Sequence, residues 1–306
     1  MRFYPAAEVH ATLDLDRLAD AVGAMFATRP VAPLRHAHAL SDSDTLLLMP
    51  AWSDRSLGTK LVTVMPGNRS RGHASVNAIY LLFERATGEP RAVIDGEALT
   101  LRRTAAVSLL AARHMARADA RNALVVGTGT LAPYMAHAHA CARPLHRLWI
   151  WGRRGEGAQT LAQRLRDEGL PAQAVEDLES AVRDADIVSC ATTSTQPIVR
   201  GAWLRPGTHL DLVGGFRRGM READDDAIAR ARIVVDTYAG ALAEAADIVE
   251  PLERGVIRRA AIVAELAELG RGVAGRTDAG EITLFKSVGT AIADLAAAQL
   301  LIELAG

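Results

Sequence analysis

From Asn122 to Ala132 the chain reads Asn-Ala-Leu-Val-Val-Gly-Thr-Gly-Thr-Leu-Ala, an apolar run that ends in Gly127-Thr128-Gly129-Thr130-Leu131-Ala132. A strand that passes into a helix through Gly-x-Gly-x-x-Ala can cradle the pyrophosphate of a dinucleotide. Gly127 allows the tight turn and Gly129 lets the backbone approach the phosphates, while the small Ala132 lets the helix sit close to the strand with its N–H groups aimed at the anion. The same residues would also serve an ordinary glycine turn. Context favours the dinucleotide, because a helical pattern follows and a second apolar run, Arg147 to Trp151, arrives about 20 residues later. Where an NAD-specific site carries an acidic residue for the ribose hydroxyls, this chain has Gly152-Arg153-Arg154. A carboxylate would repel a 2′-phosphate, whereas guanidinium groups grip it in bidentate fashion. The expected cofactor is therefore NADP(H), with NAD(H) as the alternative; capping of a solvent-facing helix is the plainer role for Arg153 and Arg154.

Of the 35 basic residues only Lys60 and Lys286 are lysine. An ammonium can release a proton near neutral pH and a guanidinium cannot, so each lysine invites a question about chemistry. Lys60 lies in Gly58-Thr-Lys-Leu-Val, where it could also be a charge that guards a strand edge. His36, His38 and His73 are possible acids, and no cluster has the spacing of a metal site. Cys141 and Cys190 sit among apolar residues, with no C-x-x-C, and are expected to be small buried hydrophobes in a reducing compartment.

The elements that must hold these residues follow from the hydropathy pattern. Residues 15 to 28 have helical spacing, and β-like runs follow at Arg35 to Leu40, Thr45 to Met49, Gly58 to Val64, Ser75 to Leu82 and Arg91 to Asp95. Thr87-Gly-Glu-Pro90 reads as the turn between the last two. A long helix is expected from about Leu101 to Ala118, with Thr100 as its N-cap. From about Asp119 onward strands and helices alternate in the βαβ manner, with further strands at Ile187 to Cys190, Thr208 to Val213 and Ile233 to Asp236. Thr283 to Ser287 reads as strand or loop, and Ser287 to Leu304 as a final apolar helix.

With 306 residues, 49% of them hydrophobic, the chain can bury two domain cores. A net charge of −1 argues against a nucleic-acid partner, and no uncharged apolar run is long enough for a membrane span. The first residues lack the apolar core of a signal peptide, so a cytoplasmic enzyme is expected.

Five stretches in order resemble the ornithine cyclodeaminase/mu-crystallin family: Gly58-Thr-Lys-Leu-Val-Thr-Val-Met-Pro66, Arg103-Thr-Ala-Ala-Val-Ser108, the strand with Gly127-Thr-Gly129, Ala191-Thr-Thr193 followed by Pro197, and Leu284-Phe-Lys-Ser-Val-Gly289. The resemblance implies an α/β chain in which a Rossmann dinucleotide-binding domain, 119–283, is inserted in a mixed α/β domain, 1–118 plus 284–306, that binds substrate and mediates homodimer formation. It implies that Arg35, Lys60 and Arg103 hold a substrate carboxylate. Arg103, in the first turn after Thr100, would add to the positive end of a helix dipole. Ala191, Thr192, Val213, Val288 and Gly289 would line the nicotinamide end of the cofactor site. Asp294, in Thr290-Ala-Ile-Ala-Asp294, would orient the substrate amine or pair with an arginine.

Two departures narrow the activity. Deaminating members resemble Gly-Ala-Asp in the loop after the fifth strand, and this chain has Val213-Gly-Gly-Phe216; where they carry a Glu two residues ahead of Met-Pro, it has Leu47. Phe216 cannot act as a general base for water. The expected function is thus NADPH-dependent reduction of small imino acids of the pyrroline- or piperideine-2-carboxylate type, with Lys60 supplying the proton. Ornithine cyclodeamination, alanine-type dehydrogenation and ligand binding without turnover, as in mu-crystallin, are the alternatives. If the chain were to deaminate after all, Glu222 or Asp224 would have to replace the missing base.

Overall fold

The computed structural model describes residues 1–306, the side chain of Arg69 excepted. Fourteen strands and eleven α-helices divide between two compact units, one of 1–106 with 290–306 and the other of 107–289.

The first unit is built on strands β1 (Arg2–Tyr4), β2 (His36–Ala39), β3 (Thr45–Trp52), β4 (Ser56–Val64), β5 (Val76–Glu84) and β6 (Pro90–Asp95). They lie in the order β1-β6-β5-β4-β3-β2, antiparallel except for the parallel β1–β6 pair. Strand β3 runs on through Pro50, beyond the expected end at Met49. Its neighbour β2 pairs only as far as Leu48, so Pro50 interrupts no ladder on that side. Helices α1 (Ala6–Thr12), α2 (Leu15–Ala27) and the first half of α3 (Gly96–Met115) complete this unit, together with the last helix of the chain, α11 (Ala291–Ala305). Helix α11 is buried nearly all round because it lies between α2 and strands β3 and β4.

Pleat alternation gives the sheet two unlike faces. Met49, Lys60 and Tyr80 are cross-strand neighbours on the buried face, with Val62 and Leu47 paired one step along. Leu46, Leu48, Leu61, Leu81 and Phe83 point the other way and are only half-buried, and Ile79 is 41% exposed. Lys60 therefore does not guard an edge: β4 is an interior strand and the residue is 3% exposed.

Helix α3 begins a turn earlier than the sequence suggests. Asp95 Oδ1 accepts the Ala98 N–H at 2.8 Å, which caps the helix in the usual way for an aspartate. Thr100 is thus an interior residue whose hydroxyl donates to the Gly96 carbonyl at 2.7 Å. Arg103 stands two turns in, beyond the reach of the helix-terminal dipole, and the expected dipole contribution is withdrawn.

The second unit is an eight-stranded, wholly parallel sheet of β7 (Asn122–Val126), β8 (Arg147–Trp151), β9 (Ala172–Ala174), β10 (Ile187–Cys190), β11 (His209–Leu212), β12 (Ala231–Val235), β13 (Ile262–Glu265) and β14 (Ile282–Lys286). The order is β13-β12-β14-β11-β10-β7-β8-β9. Helices α4 (Ala132–Ala142), α5 (Gly155–Asp167), α6 (Leu178–Asp184), α7 (Asp225–Arg230), α8 (Tyr238–Glu244), α9 (Ala246–Glu253) and α10 (Leu266–Leu269) connect the strands, with only a short 3₁₀ turn between β10 and β11 and two α-helices between β12 and β13. Both faces are covered, with Leu124 and Val126 in one core and Ala123 and Val125 in the other, as the continuous apolar strands require. Thr283 to Ser287 resolves as strand: β14 pairs with β11 on one side and β12 on the other, so residues 284–289 lie in this unit rather than with the first domain. Cys190 is buried as expected, but Cys141 is exposed on α4, where its side of the helix faces away from the sheet.

Candidate functional site

In the first unit three sequence-distant elements bring charged side chains together. Asp294 sits in the first turn of α11, Lys60 in the middle of β4 and Arg103 on α3. Lys60 Nζ donates to Asp294 Oδ1 at 3.0 Å and lies 2.9 Å from Oδ2, and it also donates to Thr100 Oγ1 at 3.2 Å. Arg103 Nε donates to Asp294 Oδ1 at 3.0 Å. All three charged groups are almost wholly buried. Arg35, half-buried just ahead of β2, is close enough to act on the Lys60 charge. The structure thus brings Arg35, Lys60, Arg103 and Asp294 together, and the Asp294 carboxylate pairs with both Lys60 and Arg103.

Two buried cations share one buried anion, and Arg35 adds its charge from nearby. Burial lowers the Lys60 ammonium to about 8; Asp294 opposes that shift, and Arg103 and Arg35 add to it. Burial works against the Asp294 carboxylate too, yet Lys60 and Arg103 hold it below the usual carboxylate range. Beside them stands Tyr80, fully buried on β5 opposite Lys60, its phenol pushed well above its ordinary value by burial and by Asp294. A Cβ at Gly58 would lie 2.0 Å from the Tyr80 hydroxyl, so glycine is what admits this ring. Neither Tyr80 nor the contact of Thr100 with Lys60 was visible in the sequence, where each reads as an ordinary strand or helix residue.

The second unit holds the glycine turn at the end of β7. Gly127 has φ 127°, and a Cβ there would lie 2.6 Å from the Ala191 carbonyl, so the turn itself demands glycine. Gly129 is different: its backbone is not left-handed, and a Cβ would meet nothing within 4 Å. No internal contact calls for glycine here, which fits a backbone kept bare for an approaching pyrophosphate. Thr128, Gly129 and Thr130 are exposed, Leu131 precedes α4, and Ala132 is fully buried against the sheet. The turn lies where the chain order reverses between β7 and β10, the place at which open parallel sheets bind ligands. Arg153 and Arg154 follow β8, both exposed; Arg154 occupies the N-cap position of α5 without capping it through its side chain.

The residues expected near the nicotinamide lie at the carboxyl ends of β10, β11 and β14, held by two buried carboxylates. Asp236 Oδ2 accepts the Ser287 hydroxyl at 2.8 Å and the Val288 and Gly289 N–H groups at 2.9 Å each. Glu222 accepts from Thr192 and from the Gly214 and Gly215 amides after Val213, while Ala191 is tied to β7 through the Val126 carbonyl. Glu222 is therefore a clasp, not a free base, and Asp224 caps α7 by accepting the Ala227 N–H at 2.9 Å. Lys286 is paired with Asp247 Oδ2 at 3.0 Å, both fully buried. His36, His38 and His73 are exposed. Among the described residues no three His, Cys, Asp or Glu side chains are grouped to hold a metal, and no helix is long and apolar enough to cross a membrane.

With only two lysines, a chain labelled with ¹⁵N-lysine gives two ammonium signals, and Lys60→Arg identifies the one from Lys60. We expect that signal to titrate near pH 8. In Asp294→Asn it should titrate lower, because the carboxylate that stabilises the ammonium is gone. A Lys60 signal titrating at the ordinary lysine value in the wild type would contradict this description of the site.

A profile of the ornithine cyclodeaminase/mu-crystallin family matches residues 2–305. The protein SAR DEFICIENT 4 of Arabidopsis thaliana is 42% identical over 282 residues, covering 89% of this chain and 86% of its own. The Δ(1)-pyrroline-2-carboxylate reductase of Paracoccus denitrificans is 38% identical over 271 residues, covering 88% and 86%. Among solved structures, the Δ(1)-pyrroline-2-carboxylate reductase of Thermococcus litoralis in complex with NADH and L-proline superposes with a TM-score of 0.94 at 33% identity, covering 100% of this chain and 97% of that one. The glycine turn on a parallel sheet, the buried Lys60, Arg103 and Asp294 group and the match along nearly the whole chain agree: the protein belongs to the ornithine cyclodeaminase/mu-crystallin family.

Proposed function

We infer that the chain is an NAD(P)-dependent reductase of small imino acids of the Δ(1)-pyrroline-2-carboxylate type. The observation that carries this reading is the buried charge group of the first unit, in which Lys60 and Arg103 share the single carboxylate of Asp294 and Arg35 is near enough to act on Lys60. A buried excess of positive charge is costly until an anion arrives, and a substrate carboxylate supplies one with charge-assisted hydrogen bonds. Arg35, Lys60 and Arg103 hold that carboxylate, and Asp294 orients the substrate nitrogen and fixes the two cations it touches.

Reduction of a C=N bond adds a hydride at carbon and a proton at nitrogen. A bound reduced nicotinamide supplies the hydride. Lys60 supplies the proton, since an ammonium lowered to about 8 releases it far more readily than an ordinary lysine does. Hydrolytic deamination would need a carboxylate base instead. Phe216, 43% exposed on the loop after β11, offers none, and Leu47 occupies the Lys60 face of the sheet with a hydrocarbon side chain.

The dinucleotide is held in the second unit. Residues Gly127 to Ala132 receive the pyrophosphate, and Ala191, Thr192, Val213, Val288 and Gly289 form apolar walls that exclude water from the nicotinamide. We assign the 2′-phosphate of NADP(H) to Arg153 and Arg154, which are exposed after β8. The half-exposed apolar sheet face around Ile79 supports a homodimer, because a second copy would cover what water otherwise meets.

Arg103→Leu should lower kcat/KM for the imino acid roughly 30- to 150-fold, the effect of losing a charge-assisted contact of about 2 to 3 kcal/mol, and leave dinucleotide binding nearly unchanged. A folded Arg103→Leu enzyme as efficient as wild type would refute the carboxylate site. NADPH should bind more than tenfold tighter than NADH through a guanidinium–phosphate contact of about 2 kcal/mol; equal dissociation constants would exclude the role given to Arg153 and Arg154. Sedimentation at micromolar concentration should show a dimer, and Ile79→Glu should dissociate it. A wild-type monomer would remove the dimer from this reading.

A further inference from the structure

Glu222 is fully buried and lies in none of the regular elements, yet its carboxylate accepts four hydrogen bonds. Oε1 accepts the Thr192 N–H at 2.7 Å and the Thr192 hydroxyl at 2.9 Å. Oε2 accepts the Gly214 N–H at 2.9 Å and the Gly215 N–H at 3.3 Å. These donors belong to two separate loops, one after β10 and one after β11. The fit is close, since a Cβ at Gly214 would stand 2.1 Å from the Thr192 carbonyl and 2.4 Å from Glu222 Oε1. The backbone of Glu222 is fixed in turn: its N–H donates to Asp247 Oδ1 at 2.9 Å, and its carbonyl accepts from Ile198 and Val199.

We propose that Glu222 is a positioning residue for the dinucleotide, its ionised carboxylate holding the backbone of Thr192 and of Gly214–Gly215 in the shape that receives the nicotinamide half. This rests on the assignment of Thr192 and Val213 to the cofactor site. Only a carboxylate can do the work, because each of its oxygens meets two donors. An amide or a protonated carboxyl would place a donor of its own against an N–H or O–H and lose acceptors it cannot replace. The charged and titratable groups that face it are Lys286 on β14, Asp247 on α9 and the Cys190 thiol at the end of β10. Lys286 is paired with Asp247, and Glu222 is left poised: burial raises it to about 7, Lys286 opposes the rise and Asp247 adds to it. Bound dinucleotide selects the ionised form, so affinity is complete above this value and is lost as pH falls through it.

The test uses NADH, whose pyrophosphate does not titrate near neutral pH, whereas a phosphate monoester such as the 2′-phosphate of NADPH titrates near about 6. Dissociation constants are measured by nicotinamide fluorescence from pH 5.5 to 8.5, with amide hydrogen exchange at Thr192, Gly214 and Gly215. Wild type should lose affinity by up to about tenfold per pH unit below 7. Glu222→Gln should bind NADH at least tenfold more weakly, without that pH dependence, and its three loop amides should exchange faster. Should Glu222→Gln fail to fold, Thr192→Val decides: without the hydroxyl that favours the ionised form, the midpoint of the pH dependence should move upward. Wild type that binds NADH with a flat pH profile overturns the role of Glu222 alone. Wild type that binds no nicotinamide dinucleotide at any pH overturns the cofactor assignment as well.

Discussion

Asp294 is the charge on which the first unit depends. Its carboxylate, with no exposure to water, receives Lys60 from the middle of a sheet and Arg103 from a helix. Burying any one of these charges alone would cost several kcal/mol, and removing one partner of such a group typically costs about 3 to 5 kcal/mol because the others are left uncompensated. β4, α3 and α11 are therefore held in one arrangement by electrostatics as well as by packing. The same arrangement keeps a net positive charge away from water, which is the property the proposed carboxylate site needs. Fold and site share a single interaction here, so neither can drift without the other.

The second unit meets a related problem with the opposite sign. The loops that leave a parallel sheet at its carboxyl edge carry backbone N–H groups with no strand to pair with. Glu222 and Asp236 satisfy them from within, each accepting from several amides or hydroxyls at the ends of different strands. At the turn after β7 the same duty is left open: Thr128, Gly129 and Thr130 face solvent, and a side chain on Gly129 would meet nothing. Internal carboxylates thus shape the loops that are closed, and the glycine turn stays bare, as the proposed pyrophosphate site requires. Asp211 plays a comparable part deeper in the sheet, where Ser108, Ser189 and His139 all reach its carboxylate.

Most of the scaffold was legible in the chain because hydropathy period and turn residues are local properties. The strand at Asn122–Val126, the Gly127 turn, Ile187–Cys190 and the helix at Leu15–Ala27 lie where periodicity puts them. The start of α3 was misplaced because Thr100 and Asp95 are both good caps, and only the Ala98 N–H, bonded to Asp95, tells which one is used. Thr283 to Ser287 stayed ambiguous for a related reason: a short apolar run becomes an interior strand only when β11 and β12 are there to flank it.

Sequence by itself determined the identities that chemistry requires: a Gly-x-Gly-x-x-Ala turn after a strand, two lysines among 35 cations, and no acid at position 216 or 47. Those are facts of composition and spacing, and folding cannot alter them. The tertiary structure alone decided which charges meet. That Asp294 binds Lys60 from 234 residues away, and that Glu222 serves two loops instead of acting as a free base, follows from strand order and helix docking. Burial then did what no local pattern records, lowering Lys60 to about 8 and raising Glu222 to about 7, because the free energy of a charge depends on everything packed around it.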